Sequence, residues 1–498
     1  MDVGGEEGDI GRRAEHRRNA VDAEHHDERQ QHVGDDRRHD QRGRYAKTGR
    51  GLKLMIVRST NSSEFEASAR PEQAMYDWLK DLFPICRSLT GNGVRATLRY
   101  LQGVVQGLRV HEVPSGTVAF DWTVPDEWNV SEAYVENERG ERVIDFAINN
   151  LHLMGYSEPV DAWMDRQELD AFLYSLPEYP DWIPYVTSYY KRRWGFCLSQ
   201  KQRDALLPGR YHVVVRSTLA PGSLTYGEIL IPGKMADEVL LSTYICHPSM
   251  ANNELSGPVV TAAIARWVAS LQDRRLSYRI IFVPETIGSI VYISKHLHEL
   301  KQNVRAGYVV TCVGDERAYS FLPSRLGNTL ADRAARHVLR HRAPEYVAYP
   351  FLDRGSDERQ YCAPGVDLPV ASIMRSKYGT YPEYHTSADD VALVTPAGLK
   401  GAFEIYRECL SILENNDCYR TTVLCEPQLG KLGLYPTLSM KGSASKVREM
   451  MNVIAYCDGQ NDLIELSDIV GLQASRVIEI LQPLIRQGLI ERLVNVPR

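Results

Sequence analysis

The sequence predicts an α/β protein built on a mixed central sheet with helices on both faces. Two observations carry this reading. Residues 209–420 alternate short apolar runs with stretches of three-and-four spacing, and that alternation is the mark of a sheet covered on both sides. With 43% hydrophobic and 24% charged residues, the 498-residue chain can also bury a large core.

In order, YHVVVRSTL and GSLTYGEILIPG read as paired strands turned at Pro221-Gly222. EVLLSTYICH is a buried strand and SGPVVTAAIARWVASL a helix. RIIFVPE, AGYVVTCVG and PVASIMRS are further strands. SIVYISKHLHEL, TLADRAARHVLRH and PAGLKGAFEIYRECLSIL are helices. Before this core, AMYDWLKDLFPIC and VRATLRYLQGVV are helical. Residues 116–200, rich in Trp, Tyr and Pro, read as an inserted β-rich domain. Trp182, Tyr189, Tyr190 and Trp194 there read as a small core or, if exposed, a lid. The α/β domain accordingly spans 55–115 and 201–422. Residues 423–498 have the helix–turn–helix–strand rhythm of a winged helix.

Residues 1–54 read as a disordered extension. Positions 2–51 contain no Leu, Phe, Trp or Met, too little apolar area to offset the entropy of ordering. Met55 offers an alternative start.

The net charge of −6 provides no basic field for nucleic acid. In the winged segment Arg476 and Arg486 stand beside Glu479, which argues against DNA and for a protein or homo-oligomer contact. Nine scattered cysteines without a CxxC pair point to reduced thiols in the cytoplasm. No run of about 18 apolar residues is present, so no membrane span is expected.

The chemistry gathers at strand ends, where α/β folds place their sites. His247 ends one strand, and Asn252, Asn253 and Glu254 follow in a loop. Glu285 ends the next. Asp315 follows a third, Asp357 and Glu358 precede a fourth, and His385 lies in a loop beyond it. Imidazole and carboxylate without thiolate suit zinc with open positions for water. A carboxylate off the metal can then take the water proton. Arg354, Arg359, Arg375 and Lys377 offer anion clamps or ion pairs. Tyr378, Tyr381 and Tyr384 offer pocket walls or oxyanion donors.

HPSMANNELSG, FVPETIGS, GSDERQYCAPGVDLPVAS and YHTSADD resemble the successive motifs of the di-zinc aminopeptidases of the bacterial leucyl type. Residues 60–498 resemble a bacterial aminopeptidase-like subfamily with an inserted β domain and a C-terminal winged helix, often found in polysaccharide-biosynthesis loci. The resemblance implies a zinc hydrolase acting on a small peptide or amide substrate. His247 matches the first ligand and His385 the last. Asn253 falls where a bridging Asp is expected, with Glu254 beside it. Glu285 matches one of two adjacent glutamates, but Thr286 replaces the second. Thr311 and Cys312 occupy the place of an acidic ligand, for which Asp315 can substitute. Asp357 matches a ligand-bearing stretch in which Glu358 replaces a His. The expectation is one or two zinc ions, Glu285 as general base, and His247, Asn253, Glu254, Asp315, Asp357 and His385 as the metal set. Arg359, Arg375, Tyr378 and Tyr384 are expected at substrate. Alternatives are an amidohydrolase or deacylase on an amino-sugar or polysaccharide precursor, and an inactive ligand sensor.

Overall fold

The computed structural model describes residues 70–189, 191–434 and 443–493. The expected extension 1–54 and Tyr190 lie outside them.

Two amphipathic helices, α1 (Pro71–Leu82) and α2 (Asn92–Val104), precede the main sheet. Its eight strands are β1 (Arg109–Pro114), β2 (Ser223–Ile231), β3 (Glu238–Tyr244), β4 (Ser277–Val283), β5 (Val304–Val309), β6 (Ser320–Leu322), β7 (Val347–Ala348) and β8 (Val370–Met374). Their order across the sheet is β1-β2-β4-β3-β5-β8-β6-β7. The central strands β4, β3, β5 and β8 are parallel. β2 joins β4, and β6 joins β8, antiparallel.

Every residue of β3 and β4 is buried, as expected for strands covered on both faces. Side chains alternate between two cores. Val239 and Leu241 face the cluster built with α1, α2, α3 (Ser256–Ser270), α5 (Leu330–Arg342) and α6 (Pro396–Asn415). Leu240 faces the cluster built with α4 (Ile287–Asn303). Gly257 lets α3 start against the strand ends: a Cβ there would lie 2.3 Å from the Val310 carbonyl oxygen. No helix among the described residues is long and apolar enough to cross a membrane.

The expected hairpin over 209–231 is not one. Arg210–Ala220 pairs with Glu127–Asn137 and Val160–Asp165 in a separate four-stranded antiparallel sheet, completed by Arg142–Asp145. Tyr211, Val213 and Val215 are buried there with Trp128 and Val135. The chain crosses between sheets at Pro221-Gly222, where any side chain on Gly222 would meet Glu127 Cβ at 2.4 Å. This small sheet therefore takes a strand from beyond the boundary expected at 200.

At the C-terminal end a three-stranded sheet centres on Cys418–Thr421, flanked by Asp458–Asp462 and Ile490–Leu493. With α7 (Ser443–Ala455), α8 (Leu463–Val470) and α9 (Ala474–Arg486) it forms the winged helix. Ile464, Val477, Leu481 and Leu484 join the same core as α5 and α6.

Candidate metal centre

Because β3, β4, β5 and β8 are parallel, their carboxyl ends share one rim. His247 leaves β3 by way of Ile245 and Cys246 and is buried. Its Nδ1 lies 2.7 Å from Glu254 Oε2. Its Nε2 is thereby turned toward Glu285, with Oε2 at 3.7 Å. A carboxylate on one imidazole nitrogen that orients the other is the usual support of a metal-binding histidine. Burial opposes charge on this ring, and the negative charge of Cys246 and Glu254 overrides it, so the pKa is raised well above the usual value. The Cys246 thiol is itself pushed up to about 12 by burial. Glu254 is therefore the operative partner at neutral pH.

Arg87 completes this back wall. Its Nε donates to the His247 carbonyl at 3.0 Å and its Nη1 to the Leu82 carbonyl at 2.7 Å. It lies 3.8 Å from Glu254 Oε1, both side chains being fully buried. Cys246, His247 and Glu254 bring three ligand atoms within 4.8 Å of one another. A cation there would face the Arg87 guanidinium, so the open Nε2 side is the side suited to a metal.

Glu254 belongs to a π-helical turn, Ala251–Leu255, that runs into α3. Its free amides are capped by Asp389, which accepts from Asn252 N at 2.6 Å and Asn253 N at 2.9 Å. Tyr381 donates to the same carboxylate at 3.1 Å. Burial raises Asp389 to about 6. Asn253 donates its Nδ2 to the Tyr244 hydroxyl at 2.7 Å, while its Oδ1 is buried without a partner.

Glu285 ends β4 in a tight turn. Thr286 has φ 64° and ψ −79°, and Ile287 N donates to the Glu285 carbonyl at 2.8 Å. This is a γ-turn of the strained, positive-φ kind. Asp357 holds it, accepting from Thr286 N at 2.7 Å and Ser289 Oγ at 2.9 Å. Arg359 donates to Thr286 Oγ1 at 2.7 Å. Burial raises the Glu285 carboxyl, against the pull of His247 and Arg359. Burial and then the Glu285 charge raise Asp357 to about 7, and its Oδ2 is buried without a partner.

His385 lies at φ 58° with its Nε2 buried and unpartnered. Burial, then the charge of His247, pushes it down to about 3, so the ring is neutral and its lone pair free. Tyr384 stacks on it at 3.9 Å. The ring centroids of His247 and His385 are 5.4 Å apart. Two imidazoles sharing one tetrahedral zinc at its usual Zn–N distance have centroids about 5 Å apart. The ring separation is compatible with one ion held between the two histidines. Ser249, Thr286, Cys312 and His385 all have positive φ, and such strain on non-glycine residues concentrates at functional sites.

The other expected residues divide between this rim and its surroundings. Asp315 is buried, but both its oxygens are occupied. It accepts from Asn252 Nδ2 (3.1 Å), Arg317 N (2.8 Å), and Ser376 N and Oγ (2.9 Å each). It ties loops together and offers no free oxygen for a metal. Glu254 meets His247 Nδ1 through Oε2, and its Oε1 is buried without a hydrogen-bond partner. Arg375 turns away to α6, its guanidinium 3.9 Å from the Tyr319 ring, with Nη1 next to Gly401. Tyr378 is spent on Glu358, donating at 2.6 Å. Arg359, exposed, and Tyr384, half-buried, remain at the rim. Arg87, Asp389 and Tyr185 join the site although their local sequence does not mark them as site residues. Only Asp389 left a signal, standing in the YHTSADD stretch.

Residues 76–416 match the family described as domain of unknown function DUF4910. Residues 417–492 match a winged helix-turn-helix family. A Clostridium acetobutylicum protein named for polysaccharide biosynthesis and an aminopeptidase-like domain is 45% identical over 406 residues, which is 81% of this chain and 92% of that one. A crystal structure from Clostridium acetobutylicum, titled as a peptidase, superposes with TM-score 0.81 at 41% identity. It covers 87% of this chain and 100% of its own. A zinc aminopeptidase from Bacillus subtilis superposes with TM-score 0.50 at 12% identity, covering 68% of this chain and 94% of its own. A peptidase M28 precursor from Shewanella amazonensis gives TM-score 0.50 at 13% identity, covering 74% and 97%. The last two show a shared fold.

Proposed function

We infer the reaction from a chain that belongs to the DUF4910 family, on the fold of the zinc aminopeptidases and with a C-terminal winged helix: it is a metal-dependent hydrolase of an amide bond. The observation that carries this is the pair of neighbouring imidazoles, their ring centroids 5.4 Å apart, with Glu285 at 3.7 Å from His247 Nε2. His247 and His385 would hold a single zinc ion, with Asn253, whose Oδ1 is buried without a partner, as a third donor. One ion suits this chain because Asn253, Thr286 and Cys312 stand where a second ion would need carboxylates. Bound zinc supplies a Lewis acid for the substrate carbonyl and lowers the pKa of water. Glu285 accepts a proton at its carboxylate and returns it to the leaving nitrogen. Its raised pKa brings it closer to the working pH, where a general base is most effective. Arg359 at the rim binds an anionic group of the substrate.

The name of the Clostridium acetobutylicum relative supports an amide on a saccharide precursor as well as a small peptide. Nine cysteines, all unpaired, support a reducing, cytoplasmic setting. The winged helix serves a protein contact rather than DNA: Arg476 is held by Glu449 and Glu479, and the first amide of α9 is taken by His337.

The test is metal analysis of the purified full chain with Glu285→Gln beside it, assayed on aminoacyl anilides and N-acetylated amino sugars. One zinc per wild-type chain is expected. The variant should keep its zinc and lose roughly 100-fold or more in turnover. Zinc lost in the variant reassigns Glu285 as a ligand, and a wild-type chain that takes up no zinc ends the metal reading.

A further inference from the structure

We propose that Tyr185, delivered from the segment ahead of the α/β core, is a positioning residue for the imidazole pair and forms the roof of its pocket. This rests on the metal-site reading above and deepens it. The Tyr185 ring lies 5.2 Å from that of His247 and 5.1 Å from that of His385, meeting the latter edge-to-face at 81°. One ring thus packs against both proposed ligands. Aromatic pairs in this geometry hold each other's orientation, so Tyr185 restrains the turn of His385 about its own axis.

The main chain adds a second hold. Residues 183–187 lie against 385–387 like a short antiparallel pair. Tyr185 N donates to the His385 carbonyl at 2.9 Å, and Ser387 N donates to the Ile183 carbonyl at 2.8 Å. Ile183 N donates to Ser387 Oγ at 2.9 Å, and Pro184 bridges Thr386. His385 sits in the left-handed region, which costs a non-glycine residue of order 1–3 kcal/mol and persists only where neighbours enforce it. The 183–187 segment is that enforcement.

The roof is itself anchored. The Tyr185 and Tyr189 hydroxyls are 2.7 Å apart. Tyr189 meets Tyr156 edge-on at 5.2 Å, and Tyr156 stacks on Trp128 at 5.8 Å. Trp128 is buried in the strand Glu127–Asn137 of the small sheet. An aromatic chain therefore runs from the small sheet to the ligands. The Tyr185 hydroxyl is directed to Tyr189, not to either imidazole. The contribution of Tyr185 is the ring and the backbone, so phenylalanine should replace it and alanine should not.

The test uses the full chain and three variants: Tyr185→Ala, Tyr185→Phe, and Tyr185→Leu in case alanine impairs folding. Zinc affinity is measured by competition with a chromophoric chelator. The reactivity of His247 and His385 toward diethyl pyrocarbonate is mapped by mass spectrometry on metal-free protein. Alanine and leucine should weaken zinc binding by roughly 10–100-fold, the usual cost of losing support for a ligand. They should also speed His385 modification several-fold at an unchanged far-UV spectrum, while phenylalanine stays within a few-fold of wild type in both. Unchanged zinc affinity together with unchanged His385 reactivity in alanine and leucine overturns the proposal. A wild-type chain that binds no zinc, but whose His385 loses protection in these variants, overturns the metal reading and leaves the roof standing.

Discussion

Glu254→Gln perturbs the back of the site without changing its volume. The carboxylate lies 2.7 Å from His247 Nδ1 on one oxygen and 3.8 Å from Arg87 Nε on the other, with both the carboxylate and the guanidinium fully buried. Glutamine still accepts a hydrogen bond from the imidazole, so that contact falls from charge-assisted to neutral strength, a loss of about 1 kcal/mol. The larger effect is on Arg87. Its Nη2 already has no partner, and Glu254 is its one ion-pair partner among the described residues. Removing one member of a buried pair costs about 3–5 kcal/mol, because the other is left charged in low dielectric. Against a total stability of about 5–15 kcal/mol this is a large loss. Urea unfolding of chelator-treated protein should show it as a lower midpoint at unchanged slope. Adding Arg87→Met should restore part of it, since it removes the orphaned charge but also the donors to the His247 and Leu82 carbonyls. Zinc affinity, measured separately, should fall by roughly 10–100-fold in the single variant. A destabilisation under about 0.5 kcal/mol, the range of an ordinary surface substitution, would refute the buried pairing.

Asp389→Asn should cost about 1–3 kcal/mol by thermal melting, because an amide cannot accept from Asn252, Asn253 and Tyr381 as the carboxylate does. It should also weaken zinc binding, since the same turn aims Glu254 at His247; wild-type affinity would show that the cap does not support the site. His337 gives a pH dependence at the winged helix. It accepts from Ala474 N at 3.0 Å through Nε2 and faces Asp468 through Nδ1 at 2.7 Å, which requires the neutral ring. Burial holds its pKa below 6.5, against the pull of Asp468. Below pH 6.5 the unfolded chain therefore takes up the proton first, so stability is full above 6.5 and is lost as pH falls. His152, also lowered by burial, adds in the same sense. Melting temperatures at pH 7.5 and 5.5 should show the drop, and His337→Gln should be less stable at 7.5 with a smaller drop. An unchanged drop in the variant would remove His337 from the account.

The parallel strands were legible because their residues are apolar on both faces, and their helices because three-and-four spacing survives in a single window. The rim was legible for a topological reason: parallel strands put His247 and Glu285 at the same edge whatever lies between them. What escaped is the pairing of residues far apart in sequence. Arg210–Ala220 reads as one arm of a hairpin locally, yet Tyr211, Val213 and Val215 find a deeper core against Trp128 and Val135. Asp315 has the right residue type after the right strand, but its oxygens are claimed by Asn252 and Ser376, neither predictable from the strand itself. Arg87 reaches His247 across 160 residues. Tyr185 sits in a tyrosine-rich run whose pattern speaks of a small core or a lid, and its place at the site depends on the bridge from Pro184 to Thr386. Motifs at strand ends thus state which side chains meet the proposed ion, while the walls that hold those side chains come from segments whose local pattern serves another core. Substitutions in 183–187 should therefore alter the imidazole pair while leaving every recognisable motif intact.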